Sequence, residues 1–292
     1  MQSKQQIRQL LESAGVRPNK RFGQHFLIDL NLMRLLIDTA DIKKNDVVLE
    51  VGPGTGSLTE AITEKAGYCV SVEIDGVLAN IAKGQLADKT NIEIIAADAL
   101  KNKFKINPFV IDALTRARAV NKGRLLLVSN LPYVAATPIM LNLITGTIIA
   151  DAMFVTVQKE VANRMAAHPG TKDYGTLSIL LSATGDIRHI RTLKPTVFWP
   201  QPQVDSAMIS YTRDAGKLKA IKSIETLSKV AGALLQHRRK MLKSCCKMIM
   251  GTLEGIDWSE VFTKCSINPD IRPDHLEPEQ FVAIANLCAE AK

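Results

Sequence analysis

The pattern of hydrophobic and polar residues in the first third of the chain predicts two buried strands joined by a glycine turn and a helix. Residues 47–51 (Val-Val-Leu-Glu-Val) have the nearly continuous apolar character of a buried strand. A glycine-rich turn follows at 52–56, and helical spacing begins at Ser57. A second strand, 68–74, contains Glu73 near its end. A strand, a glycine turn, a helix and a strand with a terminal acid form half of a nucleotide-binding α/β sheet.

Hydrophobic periodicity also predicts the elements of the rest of the chain. Further helices are predicted over 3–14, 30–39, 76–86, 137–144, 158–165 and 174–183, and further strands over 91–97, 123–129, 151–157, 186–193 and 207–211. Residues 24–27 are predicted as an irregular lid or core-packed loop, 101–122 as a short helix with basic residues, and 198–206 as a rigid proline-rich loop. Beyond Arg213 the pattern predicts only helices, over 221–235, 240–250, 258–264 and 278–291. We therefore predict an α/β domain over 1–213, with an N-terminal helical and lid segment at 1–45, and a helical domain over 214–292.

The glycine turn and the acids around it discriminate among nucleotide ligands. A dinucleotide-binding turn needs Gly-x-Gly-x-x-Gly, whereas the third glycine here comes one position early, at Gly56. Glu50 stands just before the turn, where it would repel a pyrophosphate and suit a cationic ligand. Glu73 can accept hydrogen bonds from a ribose diol. The pattern Glu50-x-Gly52-x-Gly54-x-Gly56 is typical of methyltransferases that bind S-adenosylmethionine, although a glycine turn without a ligand would look similar.

Two further strand ends carry side chains suited to a purine. Asp98 follows the third strand, where it can accept a hydrogen bond from an adenine amino group or simply cap a turn. The bend Asn130-Leu131-Pro132-Tyr133 follows the fourth strand, and its proline ends that strand. The adenine amine is a poor nucleophile because its lone pair is delocalised into the ring. Asn130 Oδ1 and the Leu131 carbonyl can accept its two N–H bonds, which would favour a pyramidal nitrogen, while Tyr133 stacks on the base.

The charge of the chain favours a polyanionic partner. Its 292 residues carry a net charge of +8, which suits nucleic acid or describes an unengaged basic surface. The basic run 236–243 is either a solvated helix face or a phosphate contact made by Arg238, Arg239 and Lys243. No apolar run is long enough to span a bilayer. The histidines do not cluster and the cysteines show no ligand or disulfide spacing, so we predict no metal site, reduced thiols and a cytoplasmic location.

Together these motifs resemble the ribosomal RNA adenine N6,N6-dimethyltransferase family. The likeness is greatest to the branch that dimethylates two neighbouring adenosines near the end of small-subunit ribosomal RNA. It spans nearly the whole chain, from Arg21-Phe-Gly-Gln-His-Phe-Leu27 to Ile271-Arg-Pro273. Its most specific parts are the bend 130–133 and the motif Phe198-x-Pro-x-Pro-x-Val-Asp-Ser206. The resemblance implies a Rossmann-like, class I, S-adenosylmethionine-dependent methyltransferase sheet of seven strands, followed by a small C-terminal α-helical domain.

The resemblance also implies roles for individual residues. The cofactor site would comprise His25, Leu27, Glu50, Gly52, Gly54, Gly56, Glu73, Ile74, Asp98, Ala99 and Asn130. The target base would be held by Asn130, Leu131, Pro132 and Tyr133 with Phe198 stacking beside it, and RNA would contact Arg21, Arg238, Arg239 and Lys243. Two departures stand out, because the family commonly has Asn at the positions of His25 and Val134.

The implied partner is small-subunit ribosomal RNA in an immature 30S-type ribosomal subunit, bound by a monomer that does not associate with membranes. Two alternatives stay open: dimethylation of large-subunit RNA, as in antibiotic-resistance relatives, and a non-catalytic role as a ribosome-assembly or RNA-binding factor. The large-subunit relatives more often carry Ile at the position of Leu131. The intact acids Glu50, Glu73 and Asp98 argue against a protein that has lost catalysis.

Overall fold

Helices and strands alternate through most of the chain in a computed structural model that describes residues 1–19, 22–249 and 255–290. The strands are β1 Phe26–Leu27, β2 Val47–Val51, β3 Tyr68–Glu73, β4 Ile92–Ala96, β5 Leu100–Asn102, β6 Lys105–Ile106, β7 Leu125–Asn130, β8 Ala152–Gln158, β9 Gly185–Leu193, β10 Phe198–Trp199 and β11 Ser206–Arg213. The helices are α1 Lys4–Ser13, α2 Leu30–Ala40, α3 Ser57–Lys65, α4 Gly76–Gln85, α5 Pro108–Val120, α6 Ala136–Thr145, α7 Lys159–Met165, α8 Thr176–Thr184, α9 Ala215–Lys219, α10 Ile224–Gln236, α11 Leu242–Met248, α12 Trp258–Lys264 and α13 Pro278–Glu290. The strands and helices predicted from periodicity are present, with bounds that differ by only a few residues.

Seven of the strands form one sheet, in the order β4-β3-β2-β7-β8-β11-β9. The pairs from β4 to β8 are parallel, whereas β11 pairs antiparallel with β8 and places Ala207 opposite Val157. Because parallel strands share a direction, the carboxyl ends of β4, β3, β2 and β7 lie along one edge of the sheet, where open α/β sheets bind ligands. The predicted α/β class and the seven-stranded sheet implied by the resemblance are both confirmed.

Helices cover the central strands and build the core of the sheet. All five residues of β2 are buried, as expected for a parallel strand covered on both faces. Leu36 of α2 and Ile62 of α3 join Val48 and Leu126 of the sheet in one hydrophobic cluster. Asp29 caps α2 as predicted, because its Oδ1 accepts hydrogen bonds from two backbone N–H groups of the first turn.

Two segments that were predicted as irregular pair with each other instead. β1 and β10 form an antiparallel two-stranded sheet, with Phe26 opposite Trp199 and Leu27 opposite Phe198. The rings of Phe26 and Trp199 are stacked, with centroids 6.2 Å apart. The prediction of irregular structure is wrong for these residues, because a strand of two residues is too short to show a hydrophobic period.

The segment 101–122 was predicted as a short helix, and it contains more structure than that. β5 and β6 form a hairpin, and the 13-residue helix α5 follows it. Asn107 caps α5 through a hydrogen bond that its Oδ1 accepts from the Phe109 N–H at 3.0 Å, and Pro108 occupies the first helical position.

Internal contacts divide the chain into two compact units. The first comprises Met1–Ala162 and Arg188–Thr212, and the second Asn163–Ile187 and Arg213–Lys292. Within the second unit, α8, α10 and α13 pack against one another. The domain division that we predicted at residue 213 differs from these units, because it assigned 163–187 to the α/β domain. No helix of the described ranges is long and apolar enough to cross a membrane.

Candidate active site

The glycine turn after β2 contacts two other segments of the chain, β1 and the bend 130–133. Gly52 and Gly54 have φ values of +76° and +60°, a backbone conformation that favours glycine. A Cβ at Gly54 would lie 2.8 Å from the Phe26 ring, and a Cβ at Gly52 would lie 3.2 Å from Pro132 Cγ. The glycines thus allow β1 and the bend after β7 to approach the turn closely, at the edge where the parallel strands end.

Glu73 lies at the end of β3 and is tied to the glycine turn. Its Oε2 accepts a hydrogen bond from the Gly54 N–H at 3.0 Å, and its Oε1 accepts one from the Asp75 N–H at 3.1 Å. The side chain is only 4% exposed, and this burial raises the pKa of its carboxyl group. Gln24 in turn donates from Nε2 to Asp75 Oδ2 at 2.9 Å. The acid therefore has a fixed orientation before any ligand arrives.

Glu50 lies inside the sheet, beneath the turn. Its Oε2 accepts hydrogen bonds from Thr59 Oγ1 at 2.6 Å and from Ser71 Oγ at 2.8 Å. The residue is 1% exposed, and burial raises the pKa of its carboxyl group from 4.5 to about 7. At neutral pH this carboxyl group is consequently poised between its neutral and ionised forms.

The side chain of Asn130 is held from both sides at the end of β7. Its Nδ2 donates to the backbone carbonyl of His25 at 2.9 Å, and its Oδ1 accepts a hydrogen bond from Thr156 Oγ1. The Leu131 N–H donates to the Thr156 carbonyl at 3.1 Å. Because a carbonyl can only accept, the amide nitrogen must face His25, which fixes the position of Oδ1. One lone pair of Oδ1 is used by Thr156, and the other can serve an N–H donor.

Tyr133 is fixed by its ring and by its hydroxyl group. Its ring stacks on that of His25, with centroids 5.5 Å apart and planes at 26°, and its hydroxyl is hydrogen-bonded to Ser206 Oγ at 2.7 Å. His25 is oriented in turn by a 2.7 Å hydrogen bond from its Nδ1–H to the Pro200 carbonyl. Burial raises the pKa of the Tyr133 phenol, so this ring is neutral at physiological pH.

Two adjoining cavities open at this edge of the sheet. The smaller, about 90 Å³, is lined by predicted residues of both the cofactor and base sites: His25, Leu27, Glu50, Gly52, Gly54, Glu73, Ile74, Asn130, Leu131, Pro132 and Tyr133. The larger, about 400 Å³, is lined by Gly52, Glu73, Ile74, Asp98, Ala99 and Pro132 among others. The shared residues show that the cavities adjoin. The structure therefore brings nearly all of the predicted cofactor and base residues together.

Two of the predicted cofactor and base residues, Gly56 and Phe198, line neither of these two cavities. Gly56 begins α3 with a φ of +88°, and a Cβ there would lie 3.3 Å from Leu86 Cδ1, so this glycine serves backbone conformation and packing. Phe198 is 1% exposed and belongs to the main hydrophobic cluster, where its ring has no free face for a base. Asp98 does reach the larger cavity, and its Oδ1 also accepts from the Leu100 N–H at 2.9 Å.

Comparison with known proteins decides the family. Residues 15–290 match the model for ribosomal RNA adenine dimethylase. The chain belongs to the ribosomal RNA adenine dimethylase family. It is 35% identical to ribosomal RNA small subunit methyltransferase A of Streptococcus thermophilus, over 97% of this chain and 96% of that protein. The Geobacillus kaustophilus protein of the same name is 34% identical over 97% of this chain and 94% of its own length.

Solved structures support the fold of this dimethylase. A dimethyladenosine transferase from Plasmodium falciparum superimposes with a TM-score of 0.71 and 21% identity, covering 89% of this chain and 96% of that one. The 23S rRNA methyltransferase ErmE gives a TM-score of 0.61, also at 21% identity, covering 90% and 99% of the two chains. These likenesses confirm the class I methyltransferase architecture that the resemblance implied.

The methyl donor of this dimethylase is S-adenosylmethionine, and the residues around the two cavities fit it. Glu73 and Asp98 supply carboxylate oxygens that can accept hydrogen bonds from a ribose diol and an amino group. Ile74, 47% exposed, and Ala99 supply apolar surface beside them. Gly52 lines both cavities, and no basic phosphate-binding side chain is needed for a cofactor without phosphate.

The structure places the residues that were predicted to contact RNA in different environments. Arg21 lies outside the described residues. Arg238 is engaged internally, because all five of its guanidinium N–H groups donate, to Asp274 Oδ2 and to the carbonyl oxygens of Thr171, Lys172 and Tyr174. The prediction of an RNA contact is therefore corrected for Arg238, which stabilises the second unit.

The neighbouring basic residues face solvent. Arg239 is exposed. Lys243 is also largely exposed and forms a 2.5 Å ion pair with Asp270, which is 54% exposed itself. Such an exposed pair contributes little stability. Arg239 and Lys243 thus keep the solvent access that the predicted phosphate contacts require.

Sequence reasoning missed the hydroxyl groups that hold the site together. Thr156 orients Asn130, while Thr59 and Ser71 bind Glu50. Thr156 is fully buried within β8, where it interrupts an apolar run between two valines. A polar residue in an otherwise apolar parallel strand was the only signal available, and it did not identify the partner.

Proposed function

We propose that this enzyme uses S-adenosylmethionine to dimethylate N6 of two adjacent adenosines near the 3′ end of small-subunit ribosomal RNA. The proposed substrate is the RNA in an immature 30S-type ribosomal subunit. The observation that carries the proposal is the anchored Asn130 side chain beside a cavity that Glu73 and Asp98 line. The names of the 34–35% identical relatives, which specify the small subunit, support this choice of RNA.

The residues of the bend would prepare the adenine amine for attack. Bound S-adenosylmethionine supplies an electrophilic methyl group. Asn130 Oδ1 and the Leu131 carbonyl accept the two N–H bonds of the amine, which favours a pyramidal nitrogen with an available lone pair. The Thr156 hydroxyl keeps Oδ1 in place, so the acceptor needs no reorganisation. Orientation and polarisation suffice, and no strong base is needed before attack.

The cofactor would be held by the edge of the sheet. Glu73 accepts from the ribose hydroxyls and Asp98 from the adenine amino group. Ile74 and Ala99 pack against the adenine ring, and Gly52 lets the backbone approach. Tyr133, whose ring is already supported by His25, stacks on the target base.

The second unit would contribute phosphate contacts of its own. We assign phosphate contacts to Arg239 and Lys243, which are exposed on or beside α11. The protein is proposed to act as a monomer in the cytoplasm, where ribosomal subunits assemble.

Mass mapping of methylated adenines tests this proposal. The enzyme and isotopically labelled cofactor are incubated separately with unmethylated small subunits and with large subunits. We expect two adjacent dimethyladenosines in the small-subunit RNA and none in the large-subunit RNA. Asn130→Ala should abolish transfer, while Asn31→Ala, an exposed residue of α2, should not. Labelling of large-subunit RNA alone would refute the substrate, and full activity of Asn130→Ala would refute the base site.

A further inference from the structure

The hairpin of β5 and β6 lies beside the larger cavity, and no residue of the hairpin was predicted to bind cofactor or RNA, yet its composition is unusual. Its tip carries Phe104, which is 72% exposed. Lys101, Lys103 and Lys105 lie within three residues of Phe104 in the chain and are exposed as well. The ion pairs within the ranges that the structure describes include none of these three lysines. An uncovered aromatic ring among unpaired cations is typical of surfaces that bind single-stranded nucleic acid.

The hairpin is fixed next to the base-binding bend. Residues 100–103 line the larger cavity together with Pro132 and Val134, and Val134 is itself 90% exposed. Asn142 of α6 donates from Nδ2 to the Lys103 carbonyl at 3.3 Å. α6 begins just after the bend, so the tip of the hairpin and the bend share one support.

The base of the hairpin is equally well anchored. The Asn107 N–H donates to the Ala99 carbonyl at 2.9 Å, and Asn107 Nδ2 donates to the Asp98 carbonyl at 2.9 Å. Asp98 Oδ1 accepts from the Leu100 N–H. A rigid hairpin presents its tip without a large loss of conformational entropy on binding.

We propose that this hairpin binds single-stranded ribosomal RNA beside the target adenosine. Phe104 stacks on a base that flanks the target, and Lys101, Lys103 and Lys105 contact the phosphates on either side. Lys103 Nζ lies 4.8 Å from the centroid of the Phe104 ring. The lysine therefore contacts the ring, while most of the Phe104 side chain stays exposed. This assignment rests on the proposed RNA substrate and adds a specific contact to it.

Phe104→Ala tests the stacking contact, with Phe109→Ala as its matched control. Phe109 is 71% exposed and lines neither cavity. The probe is a fluorescent single-stranded oligoribonucleotide that contains two adjacent adenosines, with 2-aminopurine at each flanking position in turn. Phe104→Ala should weaken binding about tenfold, remove the quenching of 2-aminopurine at one flanking position, and raise KM on unmethylated small subunits without lowering kcat. Phe109→Ala should behave as the wild type.

Charge replacement tests the phosphate contacts. Lys101→Gln/Lys103→Gln/Lys105→Gln should reduce the slope of log affinity against log salt by about 2. The control, Lys43→Gln/Lys44→Gln/Lys122→Gln, makes the same charge change near the amino ends of β2 and β7. It should leave that slope unchanged.

Three results separate the failure of this inference from the failure of the proposed function. Equal RNA affinity of Phe104→Ala and Phe109→Ala would overturn the stacking contact. A fall in S-adenosylhomocysteine affinity for Phe104→Ala, measured by calorimetry, would show that the hairpin belongs to the cofactor cavity instead. A wild-type enzyme that methylates neither subunit would refute the proposed function itself, whatever the variants do.

Discussion

Replacement of Glu50 by Gln should make the folding stability less dependent on pH. The buried carboxyl group has a pKa of about 7 in the folded protein, against 4.5 ordinarily. The folded state therefore binds the proton more tightly than the unfolded state, and stability is lost as the pH rises from 4.5 through 7. This difference corresponds to about 3 kcal/mol once the pH exceeds 7. Gln cannot ionise, so this loss should be absent from the variant.

The size of the effect can be measured because Gln preserves the local hydrogen bonds. Both Thr59 and Ser71 donate to the same oxygen of Glu50, and the Gln carbonyl oxygen can accept both. Urea unfolding of the ligand-free protein is compared at pH 5 and pH 8. The stability difference between Glu50→Gln and wild type should grow by about 2 kcal/mol between these values. A constant packing cost of the new amide cancels in this comparison.

A control variant isolates the buried carboxyl group. Glu64→Gln removes an exposed carboxyl group from the same helix that carries Thr59, and it should keep the pH dependence of the wild type. A stability difference between Glu50→Gln and wild type that is the same at pH 5 and pH 8 would refute the reasoning. It would mean that the buried carboxyl group does not take up a proton on folding.

Thr156→Val should lower the single-turnover rate on unmethylated small subunits by about tenfold, because it removes the donor that fixes Asn130 Oδ1. The affinity for S-adenosylhomocysteine should not change. An unchanged rate would exclude the positioning role of Thr156. Arg238→Ala should reduce the free energy of unfolding in urea by about 2 kcal/mol, because it leaves partly buried oxygens without donors. Arg239→Ala should keep wild-type stability and weaken RNA binding, and equal stability of the two variants would contradict the structural role of Arg238. His25→Asn should retain methyl transfer within about twofold, because position 25 contacts Asn130 through its backbone carbonyl; loss of transfer would show that the imidazole itself is needed.

The sequence was sufficient for the elements that depend on local periodicity. β2, α3 and β3 could be placed because each has a hydrophobic pattern long enough to distinguish a period of 2 from one of 3.6. The pairing of Phe26 with Trp199 joins residues that are far apart in the chain, and nothing local in either segment indicates the other. The hairpin at 100–106 was not predicted, because its strands of three and two residues are too short to show a hydrophobic period.

The candidate site divides in a similar way. Glu73, Asp98 and Asn130 could be placed because each ends or closely follows a strand, and topology alone brings the carboxyl ends of neighbouring parallel strands together. The fate of Arg238 could not be predicted, because a basic run gives no information on whether distant carbonyl oxygens will surround one of its members. Five internal hydrogen bonds distinguish Arg238 from Arg239, although the two are adjacent and of the same type.

The two departures from the family pattern leave the amine acceptor intact. His25 supports Asn130 only through a backbone carbonyl, which any residue at that position would supply. Its side chain instead stacks on Tyr133 and donates to Pro200, so it acts on the ring that is proposed to carry the target base. Val134 is 90% exposed and lines the larger cavity together with residues 100–103 of the hairpin that is proposed to bind RNA. Both departures therefore lie where the RNA strand is proposed to be supported, while the hydrogen bonds that hold the Asn130 side chain do not depend on them.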